Sequence, residues 1–286
     1  MMRLALTSLA LASLLLTGCG TVPGASSSMV AIAEDGVSRF GFGAEGGESP
    51  SALVRQDGSV VLAYVGTNTG DRRIFWTQSQ DGSRFAAAKP VDQAEFSDAE
   101  PCLVEDAEGT LHLFFASNRQ GDDFRLYHST LSGKAWSAPA EVPGFTGLQG
   151  LAVAFDSGRF LLAAEIMGTG LFVSTSADGT NWTEQEAIAQ QGFEPAATFL
   201  PGGQAVIAYQ HHGQIFYRAS APGSDWSPET LAVKGADRLR TPAISWSAGQ
   251  GALVYTERTA AGYRLSGVRF DADLNFGGAL ALPTLP

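Results

Sequence analysis

The sequence predicts an all-β chain of five similar four-stranded antiparallel sheets, and three observations predict it. First, apolar runs recur in one internal order along the 286 residues. Second, a glycine-bearing turn follows the first run of each repeat, at Gly58, Gly109, Gly158, Gly203 and Gly249, spaced by 51, 49, 45 and 46 residues. Third, the composition (44% apolar, 34 glycines, 16% charged) suits short strands joined by tight turns. A period of this size is that of propeller blades. One such sheet has two apolar faces and covers both only when neighbours stack against it. The predicted fold is a five-bladed β-propeller with blades at about 48–92, 97–142, 147–190, 192–234 and 238–286, in one domain spanning 30–286. Residues 29–42 are left over, as a closing strand or part of a sixth blade, so a six-bladed propeller is the alternative.

Each first strand opens on a polar residue and usually a proline: Glu48-Ser49-Pro50, Ala99-Glu100-Pro101, Leu148-Gln149-Gly150, Phe193-Glu194-Pro195 and Arg240-Thr241-Pro242. The second strands read Val60–Tyr64, Leu111–Phe115, Phe160–Ala164, Ala205–Tyr209 and Ala252–Tyr255. The third strands alternate around Phe75, Tyr127, Phe172, Phe216 and Arg264. An aromatic then recurs at one phase, as Phe85, Trp136, Trp182, Trp226 and Phe276. It reads as a wedge between one blade and the next.

The N-terminus carries one arginine, a short apolar run and then Leu16-Thr17-Gly18-Cys19. The run is too short for a membrane span and has the layout of an export signal over residues 1–18. Leu-Thr-Gly-Cys resembles the bacterial lipobox. That resemblance implies lipidation of Cys19, a flexible tether over 19–29, and a lipid anchor in the cell envelope, at the outer membrane if the cell has two. Cys102, the only other cysteine, reads as a buried thiol. The net charge of −11 argues against nucleic acid and anionic lipid surfaces as partners. No phosphate loop, zinc spacing or Ser–His–Asp signature stands in its required context. No cofactor or metal is expected, and a monomer is.

Ser176-Ala177-Asp178-Gly179-Thr180-Asn181-Trp182 resembles the Asp-box (BNR repeat) of the sialidase superfamily, and Ser79, Asp81 and Gly82 repeat it with Phe85 for the tryptophan. The resemblance implies a propeller, with Ser176, Asp178, Gly179 and Trp182 in a structural hairpin away from the ligand mouth. It does not carry over sialidase activity, because the Arg-Ile-Pro motif of those enzymes is missing. The arabinanase and xylosidase type of five-bladed glycoside hydrolase is similar too, with acids at the starts of first strands. Here Glu100 and Glu194 match; Gln149 and Ser49 do not.

Strand alternation places the starts of first strands and the ends of second strands on one rim. That rim is predicted to gather Glu48, Glu100, Gln149, Glu194 and Arg240 with Asn68, Asn118, Arg119, Glu165, Gln210, His211, His212, Glu257 and Arg258. As a binding mouth it would take a glycan or an envelope protein. As a hydrolytic site it would use Glu194 as acid and Glu100 as base. In the structural alternative these glutamates bond N–H groups of neighbouring blades, with Arg240 neutralising one. His211 and His212, adjacent on an extended chain, would point to opposite faces and not chelate. His112 and His128 read as satisfied packing residues.

Overall fold

The computed structural model describes residues 29–33, 36–40, 47–66, 72–93, 96–235, 238–260, 262–280 and 282. The export signal, Cys19 with residues 20–28 of the tether, and Asn68 lie outside the described residues.

Among the described residues the chain is all-β, a five-bladed β-propeller of antiparallel blades: four blades are four-stranded with sequence neighbours paired, while in the second both Ala135–Trp136 and Ala140–Thr146 pair with Arg125–Ser132. The second strands show why the repeat folds this way. Val60–Gly66 and Leu111–Ser117 are buried at every position. A strand covered on both faces reads as an unbroken apolar run. The five glycines that set the period all sit at positive φ, 75–84°, in the hairpin that follows each first strand. That region favours glycine, so the turn chemistry imposes the repeat. Met29–Ala33 and Gly36–Phe40 pair with each other as a separate two-stranded sheet.

The contacts divide the chain into two compact units, one ending at Leu148 and the other Gln149–Pro286. In the first, blades 1 and 2 share a core in which Val61, Val65 and Trp76 meet Leu103, Leu113, Phe115 and Trp136. In the second, one cluster joins blades 3 and 4 through Leu161, Val173, Ile207 and Tyr209, and another joins blades 4 and 5 through Val206, Ile215, Leu253 and Phe270. Each such side chain removed from water contributes about 1.5–3 kcal/mol.

The recurring aromatic divides into two kinds. Trp136 meets Trp76 of blade 1 edge-on, with centroids 5.8 Å apart. Phe276 lies 5.1 Å from Tyr217 of blade 4, and Trp226 packs on the cluster shared by blades 3 and 4. These three are wedges. Trp182 departs from the expectation: its indole N–H donates to Gly179 O (3.1 Å) and its ring faces Phe160 of its own blade. Phe85 likewise packs on Ala52, Val60 and Leu62 of its own blade. The complete box ties the aromatic back to its turn.

The residue after that aromatic carries a second repeat. Ser129 Oγ donates to Ser137 O and Ser174 Oγ to Thr183 O, both at 2.7 Å, while Thr77 Oγ1 donates to Ala86 O at 2.6 Å. In return the Ser137, Thr183 and Ser227 hydroxyls each accept a third-strand N–H at 3.0 Å. Trp-Ser and Trp-Thr at 136–137, 182–183 and 226–227 are the sequence trace of this latch.

Candidate functional site

The starts of four first strands share one distortion. Ser49, Glu100, Glu194 and Thr241, each before a proline, have φ of 47–53°. The ladder shifts register between Glu48 and Ser51, Ala99 and Cys102, Phe193 and Ala196, and Arg240 and Ala243. These are β-bulges, which add a residue and re-aim a side chain. Left-handed backbone costs a non-glycine residue about 1–2 kcal/mol, so the surroundings must hold it there.

In the second unit they do. Glu165, at the end of the second strand of blade 3, accepts the N–H of Glu194 on Oε2 at 2.9 Å. Glu194 accepts the N–H of Thr241 on Oε2 at 2.7 Å and pairs through Oε1 with Arg240 at 3.1 Å. Two strained peptide groups are thus held by carboxylates 29 and 47 residues away. Gly150 makes room: a Cβ there would lie 3.0 Å from both Glu165 Oε2 and Pro195 Cδ. Burial pushes the Glu165 carboxyl above the usual carboxylate range; the Glu194 N–H opposes this and the Glu194 charge adds to it. The arrangement of Glu165, Glu194 and Arg240 is that of the structural alternative, a brace between blades.

Next to the brace, the second hairpin of blade 4 opens a cavity of about 500 Å³ lined by Phe193, Gln210, His211, His212, Gln214 and Arg238 among others. Phe193 is 44% exposed. His212 and Gly213 have φ of 49° and 77°, the two positive values of a tight I′ hairpin turn. The pair is therefore not extended. The His211 and His212 rings stack at 4.0 Å instead of pointing apart, which corrects the sequence expectation. His211 Nδ1 lies 3.0 Å from both oxygens of Glu229, and Tyr209 Oη donates to Glu229 Oε2 at 2.8 Å. Burial, with the Glu229 bond, pushes the Tyr209 hydroxyl far above its ordinary range. Gln191, Glu229 and Arg238 were not among the predicted rim residues. Arg238 precedes the first strand and Glu229 precedes the fourth, outside the segments that the repeat singles out.

Elsewhere in this unit Gln149 and Arg258 are exposed, and Glu257 pairs with Arg264.

In the first unit Glu48 pairs with Arg72 at 2.7 Å. Glu100 is buried and accepts the Ser49 hydroxyl at 3.4 Å. Arg119 is held between Asp92 (3.0 Å) and Asp98 (3.1 Å). Its guanidinium lies over Tyr127, Phe115 and Phe96, 4.7–5.5 Å from their centroids. Burial raises the Asp98 carboxyl against the pull of Ser117 and Arg119. Asn118 Oδ1 accepts the Ser97 N–H. His112 bridges Asp106 Oδ2 (3.1 Å) and His128 Nε2 (2.9 Å), a buried and satisfied relay.

The two Asp-box hairpins are self-contained. Asp178 Oδ1 accepts the N–H groups of Thr180 (2.8 Å) and Asn181 (2.7 Å) and the Ser176 hydroxyl (3.0 Å); Ser176 Oγ accepts the Gly179 N–H at 2.9 Å. Asp81 Oδ1 repeats this with Ser83, Arg84 and Ser79. Both carboxyls are held well below the usual carboxylate range by these N–H donors.

Solved structures with this fold include a protein of unknown function from Dyadobacter fermentans (TM-score 0.66, 16% identity, 80% of each chain covered). The NanB sialidase of Streptococcus pneumoniae, as a K499G mutant, gives 0.65 at 12% identity, with 90% of this chain and 63% of that one covered. A Xanthomonas citri GH43_1 enzyme gives 0.53 at 12% identity, with 96% of each covered. The chain thus spans under two thirds of NanB. At these identities the likeness is one of fold. No curated protein matches the chain. The family model described as the BNR repeat-like domain matches residues 86–271, more than half of the sequence, and the chain belongs to that family.

Proposed function

We propose that this is a non-hydrolytic propeller, tethered to the cell envelope, that binds oligosaccharide at the rim of its second unit. One observation carries the reading. Both oxygens of Glu194, the best-placed acid of the hydrolase-like pattern, are engaged, one by Arg240 and one by the Thr241 N–H. A general acid must hold a proton and face the leaving oxygen. A carboxylate with one oxygen on a guanidinium and the other on a peptide N–H is instead a strut. The same rim retains an exposed aromatic and amide side chains around a concavity, the composition of a site that holds a sugar by stacking and hydrogen bonds.

Two assays on the purified protein test this. A glycan array reports binding; no binding to any glycan ends the reading. A panel of aryl-glycosides, sialosides, and arabinan and xylan fragments reports hydrolysis, expected to be no higher than for Glu194→Gln.

Hydrolysis is the competing reading, favoured by one observation: the buried Glu165 carboxyl, raised by desolvation, stands against the Glu194 peptide group, and a carboxyl raised by burial is a candidate general acid. Similar structures include a GH62 α-L-arabinofuranosidase of Coprinopsis cinerea. Turnover abolished by Glu165→Gln would establish it. The tether rests on Leu16-Thr17-Gly18-Cys19. Labelled palmitate is expected to enter the wild-type protein and not the Cys19→Ser variant.

A further inference from the structure

We infer that the cavity of blade 4 is the sugar site, and that it takes an uncharged polyhydroxylated ring: Phe193 supplies the stacking face, His211 a fixed acceptor, and Gln214 a fixed donor. The inference rests on the oligosaccharide reading above and narrows it to one place and one ligand class.

The donor and acceptor assignments follow from what each group does behind the cavity wall. Glu229 accepts the Tyr209 hydroxyl on Oε2 at 2.8 Å, so its carboxylate is fixed in place. His211 Nδ1 lies 3.0 Å from both Glu229 oxygens. An ionised carboxylate only accepts, so the proton is on Nδ1. In the neutral ring this leaves Nε2 as a bare acceptor. A carboxylate behind an imidazole sets its tautomer and orientation in this way. Gln214 is fixed in the opposite sense. Its Oε1 accepts the Gly235 N–H at 2.7 Å, which leaves the amide NH₂ as the free end. Vicinal hydroxyls, each both donor and acceptor, match such a pair.

The rigid members sit on rigid backbone. Phe193 pairs with Gln210 across the first two strands of the blade. The His212-Gly213 turn is tied to the next blade by the Leu239 N–H on Gly213 O at 2.8 Å. The Arg238 stem lies against Gly213, its Cγ 3.4 Å from where a Cβ would stand. Any residue but glycine would be strained there at φ 77°. Glu229 is a positioning residue here; it stands behind His211 and acts through it.

The experiment uses the intact protein with xylohexaose, arabinohexaose and cellohexaose as neutral probes and hexagalacturonate as the acidic one. Affinity is read by calorimetry, and the protonation of each ring nitrogen of the four histidines by nitrogen-15 NMR. At least one neutral probe is expected to bind. Phe193→Ala is expected to weaken it about tenfold or more, the loss of one stacked aromatic. Glu229→Gln is expected to weaken it about three- to tenfold and to redistribute the His211 proton from Nδ1 to Nε2, a spectral change that a purely structural role would not produce. Neutral binding untouched by both substitutions would overturn this inference and leave the rim reading standing. So would a His211 ring that already exchanges tautomers in the wild type. Hexagalacturonate bound tenfold more tightly than every neutral probe, and losing that advantage in Arg238→Gln, would overturn the ligand class. No binding to any probe would overturn this inference; the glycan array then decides whether the rim reading falls with it.

Discussion

The hairpin Ser176–Trp182 of blade 3 and the start of blade 4 at Glu194 lie close in sequence and satisfy their peptide groups in opposite ways. In the hairpin, one aspartate accepts two N–H groups and a hydroxyl from within three residues, and the tryptophan bonds Gly179 of the same turn. At the start of blade 4 the N–H of Glu194 is held from blade 3, and the Glu194 carboxylate holds Thr241 in blade 5. The first region closes on itself. The second borrows its partners from the flanking blades, so it is ordered only where those blades are packed. A rim built on borrowed partners is coupled to blade packing, whereas a self-closed hairpin is not.

Four measurements break or sharpen this contrast. The largest effect is expected from Trp136→Ala, which removes a wedge buried between blades 1 and 2. A loss of about 3–5 kcal/mol in urea unfolding is expected, against about 1–2 kcal/mol for the half-buried Trp182→Ala, whose indole serves its own turn. Equal losses would erase the distinction between wedge and box.

Next comes Glu194→Ala, which strands the Thr241 N–H and the Arg240 charge. About 2–3 kcal/mol is expected, discounted for the partial exposure of Arg240. Glu194→Gln keeps an acceptor for the N–H and should cost about half as much. A Glu194→Gln protein as damaged as Glu194→Ala would show that the ion pair, not the peptide bond, is the brace.

Smaller still is Asp178→Ala. The hairpin is expected to loosen, with faster amide exchange at Thr180 and Asn181, while the rim amides of Glu194 and Thr241 keep their protection. The Asp178 carboxyl is held below its usual range, so its contribution is present above about pH 4 and lost as acid titrates the folded form. The wild-type excess in Tm over Asp178→Ala should therefore shrink below about pH 3.

The smallest effect carries the opposite sign. Glu165 is raised in the folded state, so its folded form binds a proton more tightly than its unfolded form. Its charge costs stability above the usual carboxylate range, and that cost disappears as pH falls below it. Glu165→Gln keeps an acceptor for the Glu194 N–H. It is expected to raise Tm by one or two degrees at pH 8, roughly 0.5 kcal/mol, and to leave it unchanged at pH 4. A lower Tm at pH 8 would mean that the charge itself is needed.

Much of the fold was legible because its cause is local. The period glycines sit at positive φ, a demand that any single turn makes of its own residue. The second strands announce burial on both faces as unbroken apolar runs. The Asp-box was readable for the same reason, since every bond in it spans a few residues. The candidate site was less legible. Glu165, Glu194, Arg240 and His211 were placed on one rim by strand alternation, and an inter-blade role for Glu194 with Arg240 was one of the open readings, but the partner of His211 was not. Glu229 pairs with His211 across 18 residues of chain, and no spacing rule links a residue near the fourth strand to the end of the second. The positive φ at Glu194 was invisible too. A glutamate before a proline reads as extended chain, and only the bulge reveals the turn.

The sequence by itself determined a propeller of repeated sheets, its glycine turns and its Asp-box hairpins, because each is a contest between backbone geometry and side chains a few residues apart. Only the tertiary structure decided that Glu194 is a strut, that Trp136 and Trp182 do different work, and that His211 is aimed by Glu229. Those outcomes depend on which groups meet after the blades pack, and a carboxylate bonds whichever N–H or cation packing brings to it.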